Sequence, residues 1–241
     1  MDAITKKGET LVRESADAAA YDHIRKAIIE RVLLPNEQIV EQQVADSTGL
    51  SRTPIRNALK RLSYEGMVEL RRNRGAFVVN PSHAEVRDTF EAKLLIDLET
   101  VRLAASQITE EELAEMERIL ARAMELHKKG DYDEFVDLNF DFHMVIAKAA
   151  RNRMLEKYTK ELMALSNVHL LVYDDFRDVP FEEMESFREH RRIVEALRAR
   201  DETGAMEAML GHLYNTYDTL KLSLPLRTPP PAGLDGGRRG I

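Results

Sequence analysis

Cysteine is absent from the chain. It therefore forms no disulfide, offers no thiolate nucleophile and holds no Cys-ligated zinc, and a cytoplasmic setting is the natural reading. No apolar run approaches the roughly 20 residues of a membrane span, and no charged-then-apolar leader is recognisable, so no membrane partner is expected. The HExxH signature of helical metallohydrolases is missing as well. Helix breakers are also scarce: between Ser82 and Val179 there is no proline, and Gly130 is the only glycine.

What is present is unevenly distributed. The net charge is −7 over 241 residues. Residues 1–80 hold 13 Lys/Arg against 11 Asp/Glu, and residues 81–241 hold 22 against 31, so the two parts carry +2 and −9. Seven basic residues fall within 51–79 against only Glu65 and Glu69. An acidic protein with one concentrated basic surface points to a polyanionic partner for that surface.

The polar, Ala-rich residues 1–20 read as a flexible arm or a loosely held helix. From Tyr21 the pattern becomes helical, with Ile24, Ile28 and Val32 at four-residue steps, and "LLPNEQ" ends it. A second helix fits Glu41 to Thr48, with Val44 and Ala45 turned inward and Gly49 at its C-terminal end. Ser51 is placed to cap a third helix, with Pro54 in its first turn. Helix, short turn and helix make a helix-turn-helix. In the third helix Ile55, Ala58, Leu59 and Leu62 form an apolar stripe, while Arg52, Thr53, Arg56 and Lys60 lie on other sides. Arg52 and Arg56 are one turn apart, and arginine there can pair bidentately with guanine in a major groove. Ser51, Thr53 and the helix N-terminus suit a phosphate, and Lys60 is a further phosphate candidate. "GMVEL" and "GAFVV", joined by "RRNRG", read as a two-stranded wing with Arg74 in its basic tip.

The run "SRTPIRNALKRLSYEGMVELRRNRGAFV", together with "PNEQIVEQQVADSTGL", resembles the winged helix of GntR-family bacterial transcription regulators of the FadR-type branch. The resemblance implies a double-stranded DNA operator as partner, contacted by Ser51, Arg52, Thr53 and Arg56, with Gly75 at the wing tip. It also places Gln42 where a DNA-contacting arginine is common.

From Ala84 onward, apolar residues recur at helical spacing in six segments, near 84–106, 109–129, 131–149, 152–174, 180–200 and 202–223, with a capping box at Thr109 and Glu112. The fold class is therefore mainly α: an N-terminal winged helix-turn-helix, 21–80, with a small β-wing, followed by an all-α helical bundle, 81–224. The Pro- and Gly-rich residues 225–241 read as a disordered tail. His143, His190 and His212 sit on three of these helices. His190 shares a stripe with Phe187, Val194 and Leu197, and the other two are likewise placed to face the bundle interior. An inward histidine is ordinarily a hydrogen-bonded core residue, but three on separate helices suit a shared site, because bundle cores are where facing helices build metal sites. Three neutral imidazoles suit a divalent ion of the Zn²⁺ or Ni²⁺ type.

Residues 84–224 also resemble the all-helical FCD ligand-binding domain of the FadR-type branch. That resemblance implies a metal held by one Asp and three His, while a homodimer is expected because one recognition helix covers only a few base pairs and specificity needs two half-sites. His143, His190 and His212 match the histidines, and Asn139 stands where the Asp is usual. It further implies a small carboxylate effector, with Lys93 and Arg102 as basic candidates on the domain's first helix. The expected protein is thus a ligand-responsive repressor on a short inverted-repeat operator, and not an enzyme. A metal-free regulator sensing an acyl or other apolar ligand is the alternative, and a three-histidine metal hydrolase a remote one.

Overall fold

The computed structural model describes residues 2–227. They form two compact units that divide between Asn80 and Pro81. In the first, α1 (Asp2–Ile29), β1 (Gln38–Ile39), α2 (Glu41–Thr48), α3 (Arg52–Tyr64), β2 (Val68–Arg71) and β3 (Gly75–Val78) follow in order. The apolar stripe of α3 is the reason it packs: Ile55, Ala58, Leu59 and Leu62 are all buried. Each of the three larger side chains contributes roughly 1.5–3 kcal/mol by leaving water. Gly49 closes α2 at φ 70°, where its N–H donates to the carbonyl of Ala45. That left-handed turn suits glycine and directs the chain into α3. Ser51 precedes α3 in extended conformation but makes no side-chain capping bond.

Residues 2–20, expected as a flexible arm or a loosely held helix, form the first part of α1. Two expectations for this unit are corrected. Val32 is 69% exposed, because α1 ends at Ile29 and Arg31 turns at φ 56°, and the buried position is Ile29 instead. The wing is a three-stranded antiparallel sheet in the order β1-β3-β2, with Gln38 opposite Phe77 and Arg71 opposite Gly75. The two residues of β1 are too short to leave a periodic signal.

The second unit is helical: α4 (His83–Gln107), α5 (Glu110–Lys129), α6 (Tyr132–Ala149), α7 (Arg153–Tyr173), α8 (Glu185–Arg198) and α9 (Glu202–Thr219). Capping boxes at Ser82/Glu85 and Thr109/Glu112 start α4 and α5, and Asn152 and Asp201 cap α7 and α9 with their side chains. Gly130 ends α5 at φ 72°. The expected 180–200 helix is split: after Pro180 there is one 3-10 turn, Phe181–Glu183, and α8 begins only at Glu185. α4 is the central element, packed against α6, α7, α8 and α9. The main core joins Leu94, Val101, Phe142, Ile146, Ile193 and Leu213, among others. Of the expected disordered tail, Leu226 packs against this core and Arg227 pairs with Glu91 and Asp88 on α4, so residues 226 and 227 are held to the bundle. Residues 228–241 lie outside the described residues.

Candidate nucleic-acid interface and histidine cavity

The seven basic residues of 51–79 separate into two groups. Arg61 pairs with Glu65 and covers the Tyr21 ring at 3.7 Å, while Arg71 bonds Glu69 and Asn36 and covers Phe77. These two stitch the unit together. Arg52, Arg56, Lys60, Arg72 and Arg74 are exposed, as are Ser51 and Thr53. Arg52 donates to Gln42 Oε1 at 2.8 Å, and Gln42 in turn donates to Asp46. Arg56 Nε lies 2.9 Å from a Glu41 oxygen. Both guanidiniums therefore stand on the α2–α3 face and retain further N–H groups for another acceptor. In the wing, Arg74 N–H closes the turn onto the Arg71 carbonyl, and Gln38 Nε2 donates to the Arg74 carbonyl. Gly75 takes φ 92°, and a Cβ there would come to 3.3 Å from Gln38 Nε2. A side chain at 75 would thus strain the backbone and press on the wing's anchor.

The second unit encloses a cavity of about 320 Å³. His143 from α6, His190 from α8 and His212 from α9 line it, with exposures of 3%, 6% and 5%. Their ring centroids lie 4.5–5.5 Å apart, and one nitrogen from each falls within 4.8 Å of the others. Burial, then the charges of Lys93 and the other two rings, holds His143 well below the usual imidazole range. Burial and His212 do the same to His190. Both are therefore neutral near pH 7, the form that ligates a metal.

Glu189 organises the cluster from behind. Its carboxylate, 3% exposed, accepts from His212 Nδ1 at 2.9 Å and from Asn215 Nδ2 at 2.5 Å. A proton fixed on Nδ1 leaves the His212 Nε2 lone pair for the cluster. His190 Nε2 is buried with no hydrogen-bond partner among the described residues. A buried orphan of this kind calls for an acceptor-binding species, and a divalent ion among three convergent imidazoles satisfies it. The donor set, three convergent imidazole nitrogens within 4.8 Å of one another, thus fits a Zn²⁺-type ion, which His143, His190 and His212 would hold. Asn139, half-buried on α6, lines the cavity; its Nδ2 donates to Asn167 Oδ1 at 3.0 Å, which leaves Oδ1 as the atom it can offer. Asp141 is exposed.

Lys93 also lines the cavity and is 3% exposed. Its ammonium lies 2.8 Å from Asp97 Oδ2 and 2.9 Å from the Met163 sulfur. The charges face each other at ion-pair distance, although neither Asp97 oxygen receives a well-aligned hydrogen bond.

Residues 88–215, more than half of the chain, match the FCD domain, and residues 16–78 match the model of bacterial regulatory proteins, gntR family. The chain belongs to the gntR family of regulators, in its FCD-domain branch. It is 28% identical over 201 residues to the HTH-type transcriptional repressor RspR of Escherichia coli, covering 83% of this chain and 87% of that one. It is 29% identical over 202 residues to the HTH-type transcriptional regulator LutR of Bacillus subtilis, covering 74% and 89%. In fold it is similar to McbR/YncC of Escherichia coli (TM-score 0.66, 19% identity, covering 86% of this chain and 97% of that one) and to a putative GntR regulator from a Rhodococcus species (TM-score 0.67, 18%, covering 88% and 100%). Its domains and relatives are those of transcription regulators, not enzymes.

Within this gntR-family chain, His143, His190, His212, Asn139 and Lys93 do meet at one cavity. Arg102 does not. It sits on the outside of α4, bonded to Glu99 and Glu202, and the effector role expected for it is corrected. Glu189, Asp97 and Asn167 escaped the sequence reading. Glu189 directly precedes His190, and an acid beside an inward histidine was the one available signal.

Proposed function

We propose that this regulator is a homodimeric, cytoplasmic repressor that reads a short inverted-repeat operator with α3 and the wing. A small carboxylate effector, bound beside a Zn²⁺- or Ni²⁺-type ion in the helical unit, would release it. The observation that carries the reading is the pairing of two devices in one chain. One unit exposes Arg52 and Arg56 on a helix-turn-helix, and the other converges three buried histidines on a cavity, with His143 and His190 held neutral by burial. Arg52 and Arg56 take base edges, Thr53, Ser51 and Lys60 take phosphates, and Arg74 with Gly75 takes the adjoining groove. Gln42 and Glu41 hold the two arginines until DNA replaces them.

In the cavity His143, His190 and His212 would hold the ion, with Asn139 as a neutral oxygen donor. The ion supplies positive charge to an incoming carboxylate. Glu189 keeps His212 in the ligating tautomer. Dimerisation is supported by α4 and α7, which pack together and leave Leu95, Met154, Tyr158 and Leu165 exposed. One recognition helix covers only a few base pairs, so two copies are needed for useful specificity. The mostly apolar cavity favours a second reading, a metal-free sensor of an apolar ligand, and metal analysis of chelator-free protein separates the two. The test of the whole is light scattering with fluorescence anisotropy on the chain's own upstream DNA. A mass twice 27.6 kDa and specific binding are expected, and a monomer without sequence preference would sink the proposal.

A further inference from the structure

The histidine cluster occupies one end of the cavity, and the rest is built for something else. Phe135 lies eight residues before His143 on α6, about 12 Å of helix. Phe187 lies one turn before His190 on α8, and Phe176 comes from the segment after α7. All three line the cavity. Phe135 is stacked against Phe176, with centroids 5.6 Å apart and planes 28° apart, and against Phe187 at 6.4 Å and 23°. Phe135 thus stacks with both Phe176 and Phe187, and with Leu120 and Ala123 these rings make an apolar side of the cavity that reaches beyond the histidines.

Resting on the reading of this cavity as the effector site, we propose that its effector is an aromatic monocarboxylate. The head meets the histidine end, and the ring lies against the Phe135–Phe176–Phe187 wall. Three observations select that class. The volume, about 320 Å³, suits a ligand larger than a three-carbon acid. The wall supplies almost no hydrogen-bonding groups, so each hydroxyl of a sugar acid pressed against it goes unpaired, at roughly a tenfold or greater loss of affinity. A planar ring instead gains an offset stack.

The charges exclude a second acidic group. Among the described residues Lys93 is the one Lys or Arg side chain lining the cavity, and Asp97 already faces its ammonium at 2.8 Å. Besides Glu189 at the histidines, the acidic lining residues are Asp174, which accepts from Thr219, Glu183 and Glu185. A diacid would set its second carboxylate against these like charges.

The test titrates the full chain, loaded with Zn²⁺, with 3-phenylpropionate, D-gluconate and succinate by calorimetry. The expected result is an affinity for 3-phenylpropionate at least tenfold above that for either other acid. Phe135→Leu, which keeps an apolar side chain but loses the ring, should remove that preference, and Phe176→Ala should do the same. Both should leave Zn²⁺ affinity and DNA binding at wild-type values. Gluconate or succinate binding as tightly as 3-phenylpropionate overturns the assignment, and so does the absence of binding by all three. If Zn²⁺ and operator DNA still bind in those cases, the regulator reading stands and only the effector class falls.

Discussion

Glu189→Gln removes one negative charge behind the histidine cluster while keeping the side chain's shape. In the native protein both carboxylate oxygens accept, one from His212 Nδ1 and one from Asn215 Nδ2. The amide that replaces them has one acceptor and one donor. If its NH₂ faces Asn215, two donors meet; if it faces His212, the imidazole proton moves to Nε2 and blocks the ligating lone pair. With 3% exposure no water takes up the difference. Loss of such an outer partner ordinarily lowers metal affinity about 10–100-fold, or about 1.4–2.7 kcal/mol. The upper end is expected here, because Asn139 brings no charge of its own. Competition for Zn²⁺ against a chromophoric chelator measures the change, with His212→Ala as the reference for a lost ligand. An unchanged Zn²⁺ affinity in Glu189→Gln, beside a lost one in His212→Ala, would refute the reasoning.

Other consequences follow from the same geometry. Asn139→Asp should raise Zn²⁺ affinity by restoring an anionic oxygen to the cavity, while His190→Ala should abolish binding; equal titrations of all three proteins would reduce the histidines to ordinary core residues. Arg52→Ala or Arg56→Ala should each cost about 1–3 kcal/mol on the specific site if they read bases, whereas Lys60→Ala should weaken all sequences alike and flatten the salt dependence. Wild-type affinity in the Arg52→Ala, Arg56→Ala double variant would defeat the interface. His169 is 4% exposed, and burial lowers it to about 4 against an ordinary 6.5. Its depressed value means the unfolded chain binds the proton first. The contribution is therefore complete above about pH 6.5 and lost as pH falls towards 4, to the extent of about 3 kcal/mol. Urea unfolding across that window should be flatter in His169→Gln, and identical pH profiles would count against the buried neutral state.

The sequence by itself determined what depends on local periodicity and local chemistry. The four-residue stripe of α3, the Gly49 turn and the Thr109–Glu112 box are each written within a few neighbouring residues, and they fixed the helix-turn-helix and the start of α5. Three inward histidines on three helices were legible for the same reason, because His190 shares a stripe with Phe187, Val194 and Leu197 and the helical spacing of the other two also turns them inward. What joins separate elements was decided only by tertiary structure. β1 exists because Gln38 and Ile39 find β3, and no two-residue pattern announces that. Lys93 and Arg102 look alike along α4, yet one faces Asp97 within the bundle and the other pairs with Glu202 of α9 outside it. The Glu189–His212 bond spans 23 residues. Partners of this kind are chosen by how helices pack, and packing brings together residues that sequence spacing leaves unrelated.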